Sequence, residues 1–288
     1  MTSAPNGPSD APRFSAEDLE IATGLLTRPL TEPVTEIVSL TDEELMALDG
    51  IEQEPLTPIP WIESATHTPE DRSLVAAAAM RSMIARGIVT SSAVLDPRRY
   101  EDGSTQQARV VAIPELQGTV VLRRTSDAVL IAERRTERGT SYGYFHLFHL
   151  EDRVRVLWEA FDETGVHLFF LLEGSTLPAQ LLAFVDPIDG AGDNDGDIEE
   201  IPSAEFSTSA AAARLAEARA VTTVLVLARE SDADPTAFTL FSTPDGVVLM
   251  ETDGQEDTAV QRVGKLSRDS VHALVEELVA ATGPDAAQ

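Results

Sequence analysis

Residues 127–173 read DAVLIAERRTERGTSYGYFHLFHLEDRVRVLWEAFDETGVHLFFLLE. Successive side chains of a strand point to opposite faces, so a period of two residues marks a sheet. Arg153, Val154, Arg155 and Val156 alternate in this way, as a strand with one wet face does. Turn-forming residues divide the stretch, and the pattern predicts strands over Asp127 to Glu133, Ser141 to Leu150, Arg153 to Glu159 and Val166 to Glu173, arranged as an antiparallel meander. Thr119 to Arg124 reads as a preceding strand, joined to the first of these by a tight turn at Thr125 and Ser126.

N-terminal to the meander the apolar period is that of helices. Ser15 with Asp18, and Thr41 with Glu44, place an acid three residues after a hydroxyl cap, the signature of a helix start. The first such helix runs through Leu26 and the second ends near Gly50. Pro55, Pro58 and Pro60 predict an extended segment. Thr68 as cap, Pro69 at the first helical position and Gly87 as terminator bound a longer helix, with Ala76, Ala77, Met80, Met83 and Ile84 as its apolar stripe.

C-terminal to the meander, Leu177 to Val185 reads as a helix. Asp186 to Glu205 holds eight acids and no base, which predicts a solvated linker. A helix over Ser209 to Arg219 then precedes strands at Val221 to Arg229, Thr236 to Ser242, Val247 to Glu251 and Thr258 to Val263, with a turn at Thr243 to Gly246. Ser267 caps a last helix whose Val271, Leu274, Val275, Leu278 and Val279 share one face. The order helix, meander, helix therefore occurs twice. The expected organisation is a disordered stretch over 1–12, an N-terminal half over 13–185, an acidic linker over 186–205, a C-terminal half over 206–282 and a tail over 283–288.

Composition narrows the function. The chain has 288 residues, 49 acids against 21 bases and no cysteine. A formal charge of −28 opposes nucleic-acid phosphates and acidic membrane surfaces alike, so neither is an expected partner. Without cysteine there is no disulfide, thiolate zinc site or cysteine nucleophile. No positively charged, apolar leader is visible at the N-terminus, and no apolar run approaches the roughly 20 residues that span a bilayer; a cytoplasmic location is expected.

Catalytic spacing is missing. Asp193, Asn194, Asp195, Gly196 and Asp197 invite a calcium reading, but the sixth and twelfth loop positions of an EF-hand fall on Ile198 and Ala204 instead of Gly and Glu. His146 and His149 fall on opposite faces of a strand, and His167 can meet only one of them, short of the three or four ligands zinc takes. There is no GxSxG elbow, HExxH helix or phosphate loop. No cofactor, metal or catalytic residue is expected.

The informative constellation is one of recognition. Eight of the 15 aromatic residues lie between Tyr142 and Phe170. Residues 1–97 carry a net charge of −11 and residues 156–288 one of −19, whereas 98–155 carry 10 bases and 8 acids. Arginine beside aromatic residues is the composition of protein interfaces. Arg134, Arg135 and Arg138, with Tyr142 and Tyr144, form the candidate contact zone. In the strand 166–173 both faces are apolar, Val166, Leu168, Phe170 and Leu172 on one and Phe169 and Leu171 on the other; one face must pack on helices, and Phe169 and Leu171 are assigned to the partner-facing side.

The order of these features resembles the EspG family of ESX secretion-associated chaperones of actinobacteria. The resemblance rests on Leu40 to Leu48, on Arg81 to Ile88, on Thr119 to Arg124, and on the strands over 221–251 followed by Arg262, Val263, Gly264 and the last helix. It implies an α+β fold with a central, quasi-twofold antiparallel sheet flanked by helical subdomains. It further implies a type VII secretion chaperone that binds a helical-hairpin substrate of PE/PPE type and shields its apolar tip. Contact would run through the loop Arg134 to Ser141 and through a C-terminal helical groove that includes Leu274 and Leu278. A regulatory domain with a winged-helix segment over 69–86, or a hydrolase with dispersed catalytic groups, are the alternatives.

Overall fold

The computed structural model describes residues 14–66, 68–91, 110–229, 235–254 and 259–283. The expected N-terminal stretch 1–12 lies outside these residues, as does His67. The chain before the meander forms α1 (Ala16–Thr27), β1 (Val34–Thr41), α2 (Asp42–Asp49), α3 (Pro60–Ala65), α4 (Pro69–Ala85), a ribbon of β2 (Val89–Ser91) and β3 (Val110–Ala112), and α5 (Pro114–Thr125). The meander is β4 (Ala128–Thr136), β5 (Gly139–His149), β6 (Val154–Asp162) and β7 (Val166–Glu173), followed by α6 (Leu177–Val185). The remainder forms β8 (Ile198–Pro202), α7 (Ser203–Phe206), α8 (Ala210–Leu215), β9 (Ala220–Ala228), β10 (Thr236–Thr243), β11 (Gly246–Asp253), β12 (Val260–Leu266) and α9 (Arg268–Ala281).

Ten strands make one sheet in the order β1-β7-β6-β5-β4-β9-β10-β11-β12-β8. Every neighbouring pair is antiparallel. The quasi-twofold that the family resemblance implies is visible in this order. In each half an edge strand, β1 or β8, pairs with the last strand of a four-strand meander, and a helix, α6 or α9, follows. The halves join where β4 meets β9 from Ala128↔Ala228 to Thr136↔Ala220, with Ala132 and Val224 at the centre.

The two faces are covered differently. On one, α6 and α9 lie over the largest core, which joins Leu130, Phe145, Val156, Leu181, Val185, Val226, Leu240, Val271 and Val275 across both halves. On the other, α1, α2 and α5 cover β5–β7 through Leu25, Leu45, Leu122, Phe148, Leu157, Phe169 and Leu171, while α7 and α8 cover the far side through Ala211, Leu215 and Val263. Burial at roughly 25 cal/mol per Å² of apolar surface makes these clusters the main source of stability. Among the described residues no helix is long and apolar enough to cross a membrane.

Several local expectations hold because their signals are local. The reciprocal caps at Ser15 and Thr68 form, the Thr41 amide donates to Glu44 Oε2 at 3.2 Å, and Ser267 caps α9. Others are corrected. Thr119 to Arg124 is helical, the end of α5: Pro114 sits at the start, where its missing N–H costs nothing. Buried Leu116, Thr119, Val121, Leu122 and Arg123 follow a helical spacing once Leu116 is included, although Thr119, Val120 and Val121 alone imitate a strand. Pro60 starts a helix where an extended segment was expected. On α4 the buried residues are Ala76, Ala79 and Met83, while Ile84 is 52% exposed. Within the acidic segment 186–205, β8 pairs with β12. Asp186 accepts from Ser242 Oγ at 2.5 Å and from the Ala191 amide at 2.8 Å, so that segment is sewn to the sheet.

Candidate functional site

One end of the sheet gathers the turns of both halves. Thr136 faces Gly139 at the β4–β5 turn and Ala220 at the start of β9, Ser141 faces Asp162 near the β6–β7 turn, and Ser242 faces Ala220 next to the β10–β11 turn. Between these turns is a cleft of about 720 Å³, lined by residues that include Arg134, Arg138, Arg219, Ile188 and Pro244. An adjoining cleft of about 360 Å³ shares Arg134 and Ser141 and adds Tyr142, Phe161, Val166, Leu168 and Phe184.

Arg134 sits where the two clefts meet. Its guanidinium carbon lies 4.6 Å from the centre of the Phe184 ring, Nη1 donates to the Phe184 carbonyl at 2.7 Å, and Nη2 reaches Ser141 Oγ at 3.4 Å. Nε is buried without an acceptor, and burial pushes the group's pKa below that of a free arginine. Arg138 is exposed at the turn, its amide donating to Thr136 Oγ1 at 3.1 Å. Arg135 points to the other face and pairs with Glu133 at 2.6 Å, an exposed pair that contributes little. Tyr142 and Tyr144 both stack on Phe161, at 4.8 and 5.8 Å between ring centres, and burial first, then Glu159, pushes the Tyr144 phenol up to about 12.

The other expected contact residues are elsewhere. Phe169 and Leu171 are 0% exposed, locked under α1, α2 and α5, and cannot touch a partner. The opposite face of the same strand is the open one: Val166 is 43% and Leu168 37% exposed. Leu274 and Leu278 pack inward on the core from α9. The groove of about 570 Å³ beside that helix is lined by Glu276, Val279 and Ala280 together with His149, Arg153 and Glu173, at the opposite end of the sheet from the turns. Of the expected contact residues, Arg134, Arg138 and Tyr142 therefore line the clefts, together with Val166, Leu168, Ile188 and Arg219, which the sequence reading does not assign to a contact. The alternation over 166–172 showed two apolar faces; which one the helices cover is a non-local fact.

Behind the clefts lies a buried ionic network. His167 Nδ1 is 2.7 Å from Glu159 Oε1 and Nε2 is 2.7 Å from Asp42 Oδ1. Carboxylates accept, so both ring nitrogens donate and the ring is an imidazolium. Burial alone would lower its pKa, but Asp42 and Glu159 outweigh this and raise it. Glu159 also accepts from Arg123 Nε at 2.9 Å and Thr57 Oγ1 at 3.0 Å. Burial would raise the Glu159 carboxyl, yet Arg123 first, with His167, holds it well below the usual carboxylate range. His146 Nε2 stands 3.7 Å from Glu159, beyond a hydrogen bond, and burial pushes its pKa down. Arg123 and Arg124 reach Asp49 at 3.2 and 2.6 Å. The network ties α2 and α5 to β6 and β7. Phe161, 4.1 Å from the His167 ring, links it to the clefts. Among the described residues no group of three His, Asp or Glu side chains is arranged to hold a metal ion.

In and beside the aspartate-rich loop, two carboxylates are engaged. Asp195 accepts from the Ser267 amide at 2.6 Å and from Ser270 Oγ at 2.7 Å, and Asp189 pairs with Arg268 at 2.7 Å. These contacts anchor the start of α9, where negative charge is favoured.

No protein-family model matches the sequence, and no curated protein sequence matches it. A solved structure is similar, described as the Mycobacterium tuberculosis type VII secretion system chaperone EspG5 in complex with the PE25-PPE41 dimer. The identity is 13% and the TM-score 0.50, over 86% of this chain and 96% of that chain. At that identity the likeness is one of fold, and the EspG-like architecture implied by the sequence resemblance is present: an α+β chain with a central, quasi-twofold antiparallel sheet.

Proposed function

We propose that this protein is a cytoplasmic, non-enzymatic chaperone that holds a helical secretion substrate, of PE/PPE type or an equivalent helical hairpin, against the turn end of its sheet. The observation that carries the reading is the open apolar surface of Val166, Leu168 and Ile188 beside Arg134, Arg138 and Arg219, on a fold similar to that of a secretion chaperone. An apolar hairpin tip aggregates when exposed, and a cleft of this kind covers it reversibly. Tyr142, Tyr144 and Arg135 border the contact. Phe169, Leu171, Leu274 and Leu278 support it from the core.

Charge favours the same place. The acidic bulk of the chain discourages nonspecific association, while the lining of the larger cleft balances Arg134, Arg138 and Arg219 against Glu137, Asp162 and Glu163. The α4 helix followed by the β2–β3 ribbon has the outline of a winged helix, but a net charge of −11 over residues 1–97 opposes DNA phosphates. Co-expression with the helical-hairpin proteins encoded nearby, followed by size-exclusion chromatography, tests the proposal. A stable co-eluting complex is expected; separate elution of every such protein overturns it.

A further inference from the structure

Most arginines near carboxylates in this chain are paired: Arg86, Arg123, Arg124, Arg135, Arg155, Arg214, Arg262 and Arg268 each have an acid within 4 Å. Among the described residues, Arg134, Arg138 and Arg219, which line one cleft, have no such pair. Among the same residues Arg28, Arg72, Arg81 and Arg229 are unpaired too, so what marks the cleft is that three such groups share one lining. Of the three acids in the lining, Glu137, Asp162 and Glu163, two are held by neighbouring turn residues. Glu163 Oε1 accepts from the Thr140 amide at 3.0 Å, and Asp162 Oδ1 accepts from the Thr164 amide and hydroxyl at 2.9 and 2.5 Å.

Arg134 is the sharpest case. A half-buried guanidinium is costly to leave without a counter-ion, and its five N–H groups have two acceptors here, the Phe184 carbonyl and Ser141 Oγ. The stacked Phe184 ring holds the plane in place, which fits a fork-like acceptor better than a point charge. The neighbouring wall includes the apolar side chains of Ala160, Val166 and Leu168.

We infer that this cleft recognises a carboxylate flanked by apolar side chains, with Arg134 as the specificity-determining residue and Arg138 and Arg219 as further guanidinium groups at its rim. Resting on the proposed function, the inference assigns the substrate's tip an Asp or Glu beside its apolar residues. The cleft then selects substrates by a charged mark as well as by greasiness, and a hairpin tip lacking the acid is refused because Arg134 would be buried unpaired against it.

The test uses the full chain with 15N-labelled arginine, following the side-chain Nε–Hε signals while sodium acetate is added, with sodium chloride as the ionic control and inorganic phosphate as the competing anion. The Arg134 signal is identified by its loss in Arg134→Lys. A saturable shift of that signal with acetate, absent with chloride and absent for the paired Arg135, is expected. No saturable shift, or the same shift with chloride, overturns the inference; saturation with phosphate but not acetate overturns the carboxylate assignment. In a second arm, the co-eluting hairpin protein is titrated against Arg134→Gln, where loss of a charge-assisted bond weakens binding roughly tenfold to a hundredfold. Unchanged affinity sinks the inference and leaves the chaperone reading standing. Acetate binding without any co-eluting hairpin does the reverse.

Discussion

Replacing His167 by Gln tests the ionic network most severely. The ring is 0% exposed and donates to two carboxylates at 2.7 Å; Gln can serve one of them and carries no charge. Asp42 keeps the Trp61 and Ile62 amides at 2.7 and 3.3 Å, and Glu159 keeps Arg123, but a buried positive charge between them is gone. Breaking a buried pair of this kind costs about 3–5 kcal/mol, a large share of a total stability of roughly 5–15 kcal/mol. Urea unfolding of wild type and variant across pH reads both the size and the cause. His167 binds its proton more tightly folded than unfolded, so its contribution is complete below the unfolded value of about 6.5 and fades as pH rises through the raised folded value. His146 works in the opposite sense: buried neutral, with a lowered pKa, it makes stability fall as pH drops below about 6.5. Glu159, held low, adds a loss at still lower pH, beginning below about 4.3. Wild-type stability should therefore peak near pH ~6.5, and His167→Gln should lose most at pH 6 and progressively less above it. A deficit under about 1 kcal/mol at pH 6, or one that does not shrink with rising pH, would refute the imidazolium assignment.

Adjacent residues on β7 should behave oppositely. Leu168→Asp abolishes substrate binding with a stability change within about 0.5 kcal/mol, whereas Phe169→Ala costs about 3–5 kcal/mol, both read by chemical denaturation. Gly165 has φ +71°, and an added Cβ would lie 2.7 Å from Asp42 Oδ2 and from Trp61 Cβ; Gly165→Ala should cost more than about 2 kcal/mol from left-handed strain and overpacking together. Ser267 Oγ accepts from the Ser270 amide at 3.1 Å, so Ser267→Ala should cost about 1 kcal/mol. Calcium should leave the thermal midpoint unchanged, since Asp195 and Asp189 are already engaged.

Signals carried within a few residues were legible in the sequence. The caps at Ser15, Thr41, Thr68 and Ser267, the span of β7 and that of α6 follow from nearest-neighbour chemistry and strict periodicity. Thr119 to Val121 misled because β-branched side chains fit either element, and the deciding stripe begins at Leu116, outside the run. The strand Val34–Thr41 was hidden by its bulge between Glu36 and Val38, which breaks the alternation. β8 was hidden by its charge, since an edge strand can be acidic on both sides. The network of Asp42, Arg123, Glu159 and His167 joins residues up to 125 positions apart, and no local pattern announces it. For the same reason the partner-facing side of β7 was assigned to Phe169 and Leu171: choosing between two apolar faces requires knowing where the helices land.

The central claim is that the turn end of the sheet receives the substrate. Hydrogen–deuterium exchange of the complex with a co-purified helical-hairpin protein, compared with the free chain, tests it directly. The account predicts new protection confined to residues 136–142, 162–168 and the neighbourhood of Ile188. Protection centred on α9 and its groove, with the turns unchanged, would contradict it.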